Sequence, residues 1–228
     1  MFGWGGSRRP RVIAFDVIGT VFPLEALRPA IVGLGLPPAG LEGWFAAALR
    51  DAFALSAAGD FEPFTTVLRG ALDQVLAEQR LSPSASARAK LMAQFTHLPA
   101  RPDARQAFET ARRAGLRVMA LSNGASAATW SLLKGSYLDG LVEHVVSVED
   151  VQVFKPRREV YEHAARVAGV KARRLALVAA HPWDVNGAKA AGLTAAYVSA
   201  ERPLSSGMRL PDVEAPSLAA AVRALVAL

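Results

Sequence analysis

Short apolar segments alternate with helical patterns along most of this chain, and this alternation restricts the fold more than any other feature of the sequence. The segments that indicate strands are RVIAFDV (11–17), LRVMALS (116–122), HVVSV (144–148), RLALVAA (174–180) and TAAYVS (194–199). Strands that alternate with helices are typical of a parallel sheet with helices on both faces. The sequence therefore predicts an α/β fold with a Rossmann-like parallel sheet core.

The helical segments between these strands are each followed closely by a glycine. They span 103–114, 125–134, 158–168 and 184–191, and the glycines are Gly115, Gly135, Gly169 and Gly192. A glycine just past a helix adopts the left-handed backbone conformation that ends the helix. We expect each helix to stop at its glycine.

Residues 24–97 interrupt the alternation. This stretch is rich in Ala and Leu, has no strand pattern, and is punctuated by prolines at 37, 38, 63 and 83. The simplest interpretation is a helical cap inserted after the first strand. The predicted division is a core formed by residues 1–21 and 98–228, with the cap at 22–97.

Composition is consistent with an intracellular globular chain. Of 228 residues, 52% are hydrophobic and 20% are charged, which is enough apolar material to bury a core. The chain has no cysteine, which excludes disulfides and thiolate metal sites and fits a reducing compartment. The start, MFGWGGSRRPRV, lacks the apolar run of a signal peptide, and no segment reaches membrane-spanning length. We expect a cytoplasmic protein with no membrane partner.

The formal net charge of +6 raises the question of a nucleic-acid partner. The arginines are scattered along the helical segments, however, and no basic run is interleaved with aromatic residues. We therefore expect no nucleic-acid binding, and we expect a small anionic molecule as the partner. The sequence leaves open whether two copies form a homodimer.

Polar side chains follow four of the predicted strands at their carboxyl ends. In an open α/β sheet these ends meet at the crevice where ligands bind. The side chains are Asp16 and Thr20, then Ser122 and Asn123, then Lys155, and finally His181 and Asp184. The sequence predicts that they form one site.

Four segments that contain these residues resemble the motifs of a known family. FDVIGTVF, LSNGAS, VFKPRREVY and AAHPWDVNGAK are similar to the four motifs of the haloacid dehalogenase superfamily, in the same order and at the usual spacing. The resemblance covers the whole chain and is strongest to the type II L-2-haloacid dehalogenases. The matching residues of that group are Lys155, Tyr161, Trp183, Asp184, Gly187 and Ala188.

The resemblance implies catalytic roles for four residues. Asp16 would attack the halogen-bearing carbon and form a covalent ester. Lys155, balanced by Asp184, would keep Asp16 ionised beside an anionic substrate. His181 stands where the group usually has Asn, and it would activate the water that hydrolyses the ester or merely cap the following helix.

Five residues are expected to bind substrate, four of them from the resemblance and Phe61 from the cap segment GDFEPF (59–64). Thr20 and Ser122, with backbone N–H groups at helix starts, would hold the substrate carboxylate. Asn123 would face the departing halide. Tyr161 is expected to form a hydrogen bond in the site or to pack in the core, and Phe61 to line an apolar cap pocket or to pack in the core.

Two positions separate this chain from the phosphatases of the superfamily. Those enzymes carry an acid two residues after the first Asp, which protonates the leaving oxygen, and a second acid four residues before the last motif's Asp, which helps to hold Mg²⁺. Here these positions are Ile18 and Ala180. A halide needs no proton to leave, so the sequence favours a dehalogenase without metal or other cofactor. The alternatives are a small-molecule phosphatase that uses Mg²⁺ and a catalytically idle member that binds an anion.

The cap lacks one expected cation. The family generally places an arginine just before its second cap helix, where it meets the halide, but the matching stretch GLGLPPAGLEGW (33–44) has none. Arg28 and Arg50 are the neighbouring candidates for a replacement.

Overall fold

A computed structural model describes residues 9–199 and 203–228, and within them six strands form one parallel sheet. The strands are β1 (Val12–Asp16), β2 (Arg117–Ser122), β3 (His144–Ser147), β4 (Leu175–Ala179), β5 (Thr194–Val198) and β6 (Val213–Ala215). Their order is β3-β2-β1-β4-β5-β6. The chain moves outward from β1 in one direction and then returns to add β4 on its other side. Ligands bind at such a switch point, beyond the carboxyl ends of the strands.

The helices are α1 (Arg28–Gly33), α2 (Gly40–Ala58), α3 (Phe64–Glu78), α4 (Ala85–Gln94), α5 (Ala104–Arg113), α6 (Ser126–Gly135), α7 (Arg158–Val167), α8 (Pro182–Ala190) and α9 (Leu218–Val226). Around the sheet, α5 packs against α9 and α7 packs against α8. Every residue of β1, β4 and β5 is buried. The predicted α/β fold is confirmed, and β6 and α9 are elements that the sequence analysis did not identify.

The cap region contains helices and turns between residues 24 and 97. Short 3₁₀ turns at Leu24–Leu27 and Phe95–His97 flank α1 to α4. The indole N–H of Trp44 in α2 donates to the carbonyl of Leu68 in α3 at 2.8 Å, so these two helices are joined through a buried hydrogen bond. The cap meets the core where the N–H of Phe154 donates to Oγ of Ser56 at 2.9 Å. We propose cap boundaries at 22–97, as the sequence predicts.

Three of the four predicted helix stops are confirmed. Gly115, Gly169 and Gly192 have positive φ angles of 76°, 63° and 83°. The prediction for Gly135 is wrong, because this residue lies inside α6 and the left-handed residue is Tyr137, with φ of 55°. The N–H of the buried Leu138 bonds to a carbonyl in the last turn of α6, and this contact closes the turn two residues later than predicted.

Among the described residues, no helix has both the length and the apolar composition needed to cross a membrane. The prediction that MFGWGGSRRPRV is not a signal peptide concerns mainly residues 1–8, which lie outside the described residues.

Candidate active site

A buried ammonium group joins two carboxylates at the centre of the site. Asp16 ends β1, Lys155 lies in the loop after β3, and Asp184 lies in the first turn of α8. Nζ of Lys155 is 2.6 Å from Oδ1 of Asp16 and 2.7 Å from Oδ2 of Asp184. The same nitrogen donates to the carbonyl of Leu121 at the end of β2, at 3.2 Å. Lys155 and Asp184 are fully buried and Asp16 is 3% exposed.

The charges of this triad fix its protonation. Burial opposes ionisation of Asp16, but the Lys155 ammonium and the hydrogen bond with His181 outweigh burial, so the pKa of Asp16 lies below its ordinary value. Burial likewise opposes the charge on Lys155, yet Asp16 and Asp184 together raise its pKa. Burial and the neighbouring Asp16 raise the pKa of Asp184, against the effect of Lys155. Asp16 is therefore held as an anion in a buried position.

The second oxygen of Asp16 accepts two further hydrogen bonds. Oγ1 of Thr20 donates to Oδ2 at 2.5 Å, and Thr20 itself accepts from the N–H of Ala180 at 2.9 Å. Thr20 is completely buried. Its hydroxyl is therefore directed at Asp16 and not at open space, because the turn after β1 folds back over the strand end. Thr20 positions the carboxylate, which differs from the expected contact with a substrate carboxylate.

His181 makes the other contact to Asp16. Its Nδ1 lies 2.9 Å from Oδ2. The imidazole stacks on the ring of Trp183, with centroids 5.0 Å apart and planes 19° from parallel. His181 is the residue before α8, but its side chain makes no capping hydrogen bond there. The geometry thus brings His181 to the carboxylate.

Gly19 makes room for that imidazole. A Cβ at this position would lie 2.6 Å from both Cε1 and Nε2 of His181, and Gly19 has a φ of 83°. Space and backbone conformation both require glycine here. Nε of Arg101 holds the same turn by donating to the carbonyl of Thr20 at 2.7 Å. Gly19 and Arg101 were not among the predicted site residues, although a glycine three residues after a buried strand is typical of such a turn.

Of the two polar residues at the end of β2, Asn123 contacts the triad through the backbone of Lys155, and Ser122 bonds within its own turn. Oδ1 of Asn123 accepts the N–H of Lys155 at 3.1 Å, and Oγ of Ser122 accepts the N–H of Gly124 at 2.9 Å. Both side chains are buried. Asn123 therefore links the end of β2 to the Lys155 loop and leaves its amide NH₂ group to serve another partner.

Tyr161 acts on Asp184. Its hydroxyl donates to Oδ1 of Asp184 at 2.6 Å, inside the core and away from open space. Burial raises the pKa of the Tyr161 phenol well above its ordinary value, so it remains a donor. Gly187 lets this contact form, because a Cβ there would lie 2.5 Å from the phenol oxygen and 2.6 Å from Cβ of Pro156.

Phe61 lies away from the cavity beside the site. It is in the turn between α2 and α3, and its ring stacks on Phe154 with centroids 5.1 Å apart. Of the two roles expected for Phe61, the structure shows packing against the core and not a pocket lining, because the turn places its ring on Phe154 of the Lys155 loop. Phe45 of α2, which the sequence analysis did not identify, lies beside His181 instead, at 6.1 Å between centroids.

A cavity of about 650 Å³ opens between the cap and the core. His181, Gly19 and Trp183 border it on the core side, and α2 borders it on the cap side. Arg28 and Arg50, the two candidate replacements for the missing cap arginine, both line it. Each is already paired with carboxylates: Arg28 with Glu25 and Glu42 at 2.6 Å, and Arg50 with Asp51 at 2.9 Å.

Sequence comparison relates the chain to hydrolases. Residues 10–192 match the family described as haloacid dehalogenase-like hydrolase. Haloacetate dehalogenase H-2 of Moraxella sp. (strain B) is 26% identical over 84% of this chain and 87% of that protein. An (S)-2-haloacid dehalogenase of Pseudomonas sp. (strain YL) is 26% identical over 92% of each chain.

The fold is similar to that of a solved dehalogenase. L-2-haloacid dehalogenase from Xanthobacter autotrophicus, in the form with chloropropionic acid covalently bound, superposes with a TM-score of 0.84 and 25% identity. The match covers 94% of this chain and 97% of that one.

Proposed function

The chain belongs to the family of haloacid dehalogenase-like hydrolases, and from this premise we propose that it hydrolyses the carbon–halogen bond of 2-haloacids, without a metal ion, through an ester on Asp16. The observation that carries the proposal is the 2.6 Å contact between Lys155 and Asp16. It keeps the buried carboxylate anionic, and a carboxylate must be anionic to attack a carbon atom. The relative with chloropropionic acid covalently bound supports the covalent step.

The first half-reaction is a displacement at C2 of the substrate. An oxygen of Asp16 forms a bond to C2 as the bond from C2 to the halogen breaks, and the halide leaves with the electron pair. No proton is transferred. The position two residues after Asp16, where a proton donor would stand for an alkoxide leaving group, is occupied by Ile18. A halide is stable as an anion and leaves without such a donor.

The second half-reaction breaks the ester. A water oxygen adds to the carboxyl carbon of Asp16 and gives its proton to His181. The bond between that carbon and the ester oxygen bound to C2 then breaks. His181 returns the proton to this oxygen, and the 2-hydroxy acid leaves. The 2.9 Å contact between His181 and Asp16 supports this role, because the imidazole lies beside the carboxyl group that the water must attack.

The substrate carboxylate needs hydrogen-bond donors near Asp16. Ser122, the amide NH₂ group of Asn123 and the backbone N–H groups at the start of α6 are the candidates, because they follow the strand next to β1. In this arrangement Asn123 is also the donor nearest to the leaving halide. Lys155, which contacts Asp16, supplies a positive charge near the substrate carboxylate.

The residues around Asp16 do not fit Mg²⁺. A hard cation prefers several oxygen ligands, but Asp16 and Asp184 both bind the Lys155 ammonium, and Ile18 and Ala180 supply no carboxylate. Within the described residues, no cluster of three or more His, Asp or Glu side chains could hold a metal ion. We therefore assign no catalytic step to a metal.

Parallel assays test the proposal. The purified enzyme is incubated with 2-chloro- and 2-bromo-acids, with and without EDTA, and halide release is measured. A phosphomonoester panel with Mg²⁺ is run beside it. Halide release that survives EDTA is the expected result. Phosphate release that depends on Mg²⁺, without halide release, would instead identify a phosphatase, and neither release would identify an idle anion-binding member.

A further inference from the structure

The cavity between cap and core is much larger than a haloacetate. Its volume is about 650 Å³, within the range of about 300–1,000 Å³ that encloses drug-sized ligands. An acid of two or three carbon atoms, seated against Asp16, would leave most of this space to water. The cavity borders His181, which contacts Asp16 at 2.9 Å, so a group attached to C2 of a bound substrate could extend past the imidazole into it.

The walls of the cavity are mainly apolar. The side chains that would meet a substituent on C2 are Leu24, Leu41, Phe45, Leu49, Phe53 and Trp183. Phe53 and Trp183 contact each other edge to face at 5.4 Å and close the wall between α2 and α8. Water in such a space gains few hydrogen bonds, so its displacement by hydrocarbon is favourable.

The two arginines of the lining already have carboxylate partners. Arg28 donates to Glu25 and Glu42, each at 2.6 Å, and also to the carbonyl of Pro38. Arg50 donates to Asp51 at 2.9 Å and to Gln74 at 2.8 Å. A second carboxylate on the substrate would have to displace Glu25 or Glu42 from Arg28, or share the exposed Arg50 with Asp51.

We propose that the preferred substrates are 2-haloacids with a large, uncharged hydrocarbon substituent on C2, seated between α2 and Trp183. This inference rests on the proposed function for the reaction at C2. The cavity determines which substituent on C2 is preferred. The halogen, C2 and the carboxylate face the strand ends, while the hydrocarbon fills the space beneath the cap.

A substrate series tests the inference. We compare kcat/KM for bromoacetate, 2-bromopropionate, 2-bromohexanoate, 2-bromooctanoate and 2-bromosuccinate. About 0.8 kcal/mol for each buried methylene corresponds to about a fourfold gain, or about 60-fold between the propionate and the hexanoate. We expect 2-bromosuccinate to fall well below 2-bromohexanoate. Highest kcat/KM with bromoacetate or 2-bromopropionate would overturn the inference and leave the proposed function standing.

A matched pair of variants ties the selection to the cavity. Ala46 is an exposed residue of α2 that lines the cavity, and Ala57 is an exposed residue of the same helix that does not line it. We expect Ala46→Phe to lower the ratio of kcat/KM for 2-bromooctanoate over 2-bromopropionate at least tenfold. Ala57→Phe should leave that ratio unchanged. An unchanged ratio in Ala46→Phe would place the substituent elsewhere.

Binding of the products separates the two proposals. The affinities of lactate and 2-hydroxyoctanoate for the enzyme are measured by calorimetry, with no halogen involved. Tighter binding of 2-hydroxyoctanoate supports the cavity inference even if no 2-bromo acid releases halide, a result that would overturn the proposed function alone. Equal binding of the two hydroxy acids would overturn the cavity inference whether or not halide is released.

Discussion

Nδ1 of His181 lies 2.9 Å from Oδ2 of Asp16, so the candidate base and the candidate nucleophile are direct neighbours. Against the effect of burial, Lys155 and His181 both lower the pKa of Asp16, and Lys155, which binds the other oxygen, is the leading one. We therefore expect Asp16 to stay ionised when His181 is removed. In the proposed mechanism the two residues serve different half-reactions, and substitution should separate them.

His181→Ala should stop the reaction after its first half. We expect one halide released for each site, followed by a slowing of turnover by about 10²–10⁴-fold, the usual contribution of a positioned base. Intact-protein mass spectrometry should show the substrate adduct accumulating on Asp16. His97→Ala, at an exposed histidine of the cap, is the matched control and should behave as wild type. Wild-type turnover in His181→Ala would exclude the base role, and absence of the first halide would move His181 into the displacement step.

Asp16→Asn should abolish the first half-reaction. The amide is a poor nucleophile, and its similar size leaves the buried position filled. We expect folding measured by circular dichroism to be retained and halide release in a single turnover to be lost. Deamidation of the introduced Asn back to Asp would restore activity slowly, and mass spectrometry measures how much of the variant has reverted. More than a few per cent of wild-type activity without reversion would contradict the mechanism.

Lys155→Met should shift the pH dependence of displacement. The wild-type ammonium holds the pKa of Asp16 below the ordinary value of 3.8, so the nucleophile is ionised throughout the neutral range. Without it, burial and the charge of Asp184 raise the pKa of Asp16, and the ionised fraction at a given pH falls. First-turnover halide release in the variant should therefore need a higher pH than in wild type.

Asp184→Asn is the control for that experiment. It keeps the Lys155 ammonium and removes the competing anion, so the pH dependence should not move upward as it does in Lys155→Met. Rapid-quench measurements of halide from about pH 4 to 10 record both profiles. If the Lys155→Met profile coincides with that of wild type, Lys155 does not set the ionisation of Asp16.

Gly187→Ala should destabilise the protein and loosen Tyr161. The new Cβ would lie 2.8 Å from the carbonyl oxygen of Pro156 as well as 2.5 Å from the phenol oxygen, and the backbone contact cannot be relieved by a rotamer change. We expect a loss of about 1–3 kcal/mol in the free energy of unfolding. Gly70→Ala in α3, where nothing lies within 4 Å, should instead stabilise by about 0.5–1 kcal/mol. Chemical denaturation of both variants tests the contrast.

The central fold was predictable because most of its strands are apolar runs, and β1, β4 and β5 are wholly buried. Five of the six strands and the similarity to type II L-2-haloacid dehalogenases follow from apolar runs and motifs, and both are confirmed. The strand β6 escaped the analysis because it has only three residues and exposes Glu214 between two buried neighbours. The end of α6 was not predicted correctly, because the turn is closed by the buried Leu138 and not by Gly135.

The candidate site was predictable in its membership and less so in its contacts. Strand ends bring Asp16, Lys155, Asp184 and His181 together, as parallel topology requires. The direction of the Thr20 hydroxyl depends on the N–H of Ala180, the residue after β4, which is 160 positions away in the sequence. The cavity is made by α2, whose apolar residues have the same spacing whether they face a core or a ligand. No local pattern distinguishes these cases.

The division of labour between α2 and the strand ends has a consequence for how such an enzyme changes over evolutionary time. The groups proposed to break bonds lie at the ends of β1, β3 and β4, whereas most of the cap residues that line the cavity lie on α2. Mutations along that helix can redraw the list of acceptable acids without disturbing the Asp16–Lys155–Asp184 charges. New substrates can therefore be acquired by substitutions in the cap, while the residues proposed to break bonds stay unchanged.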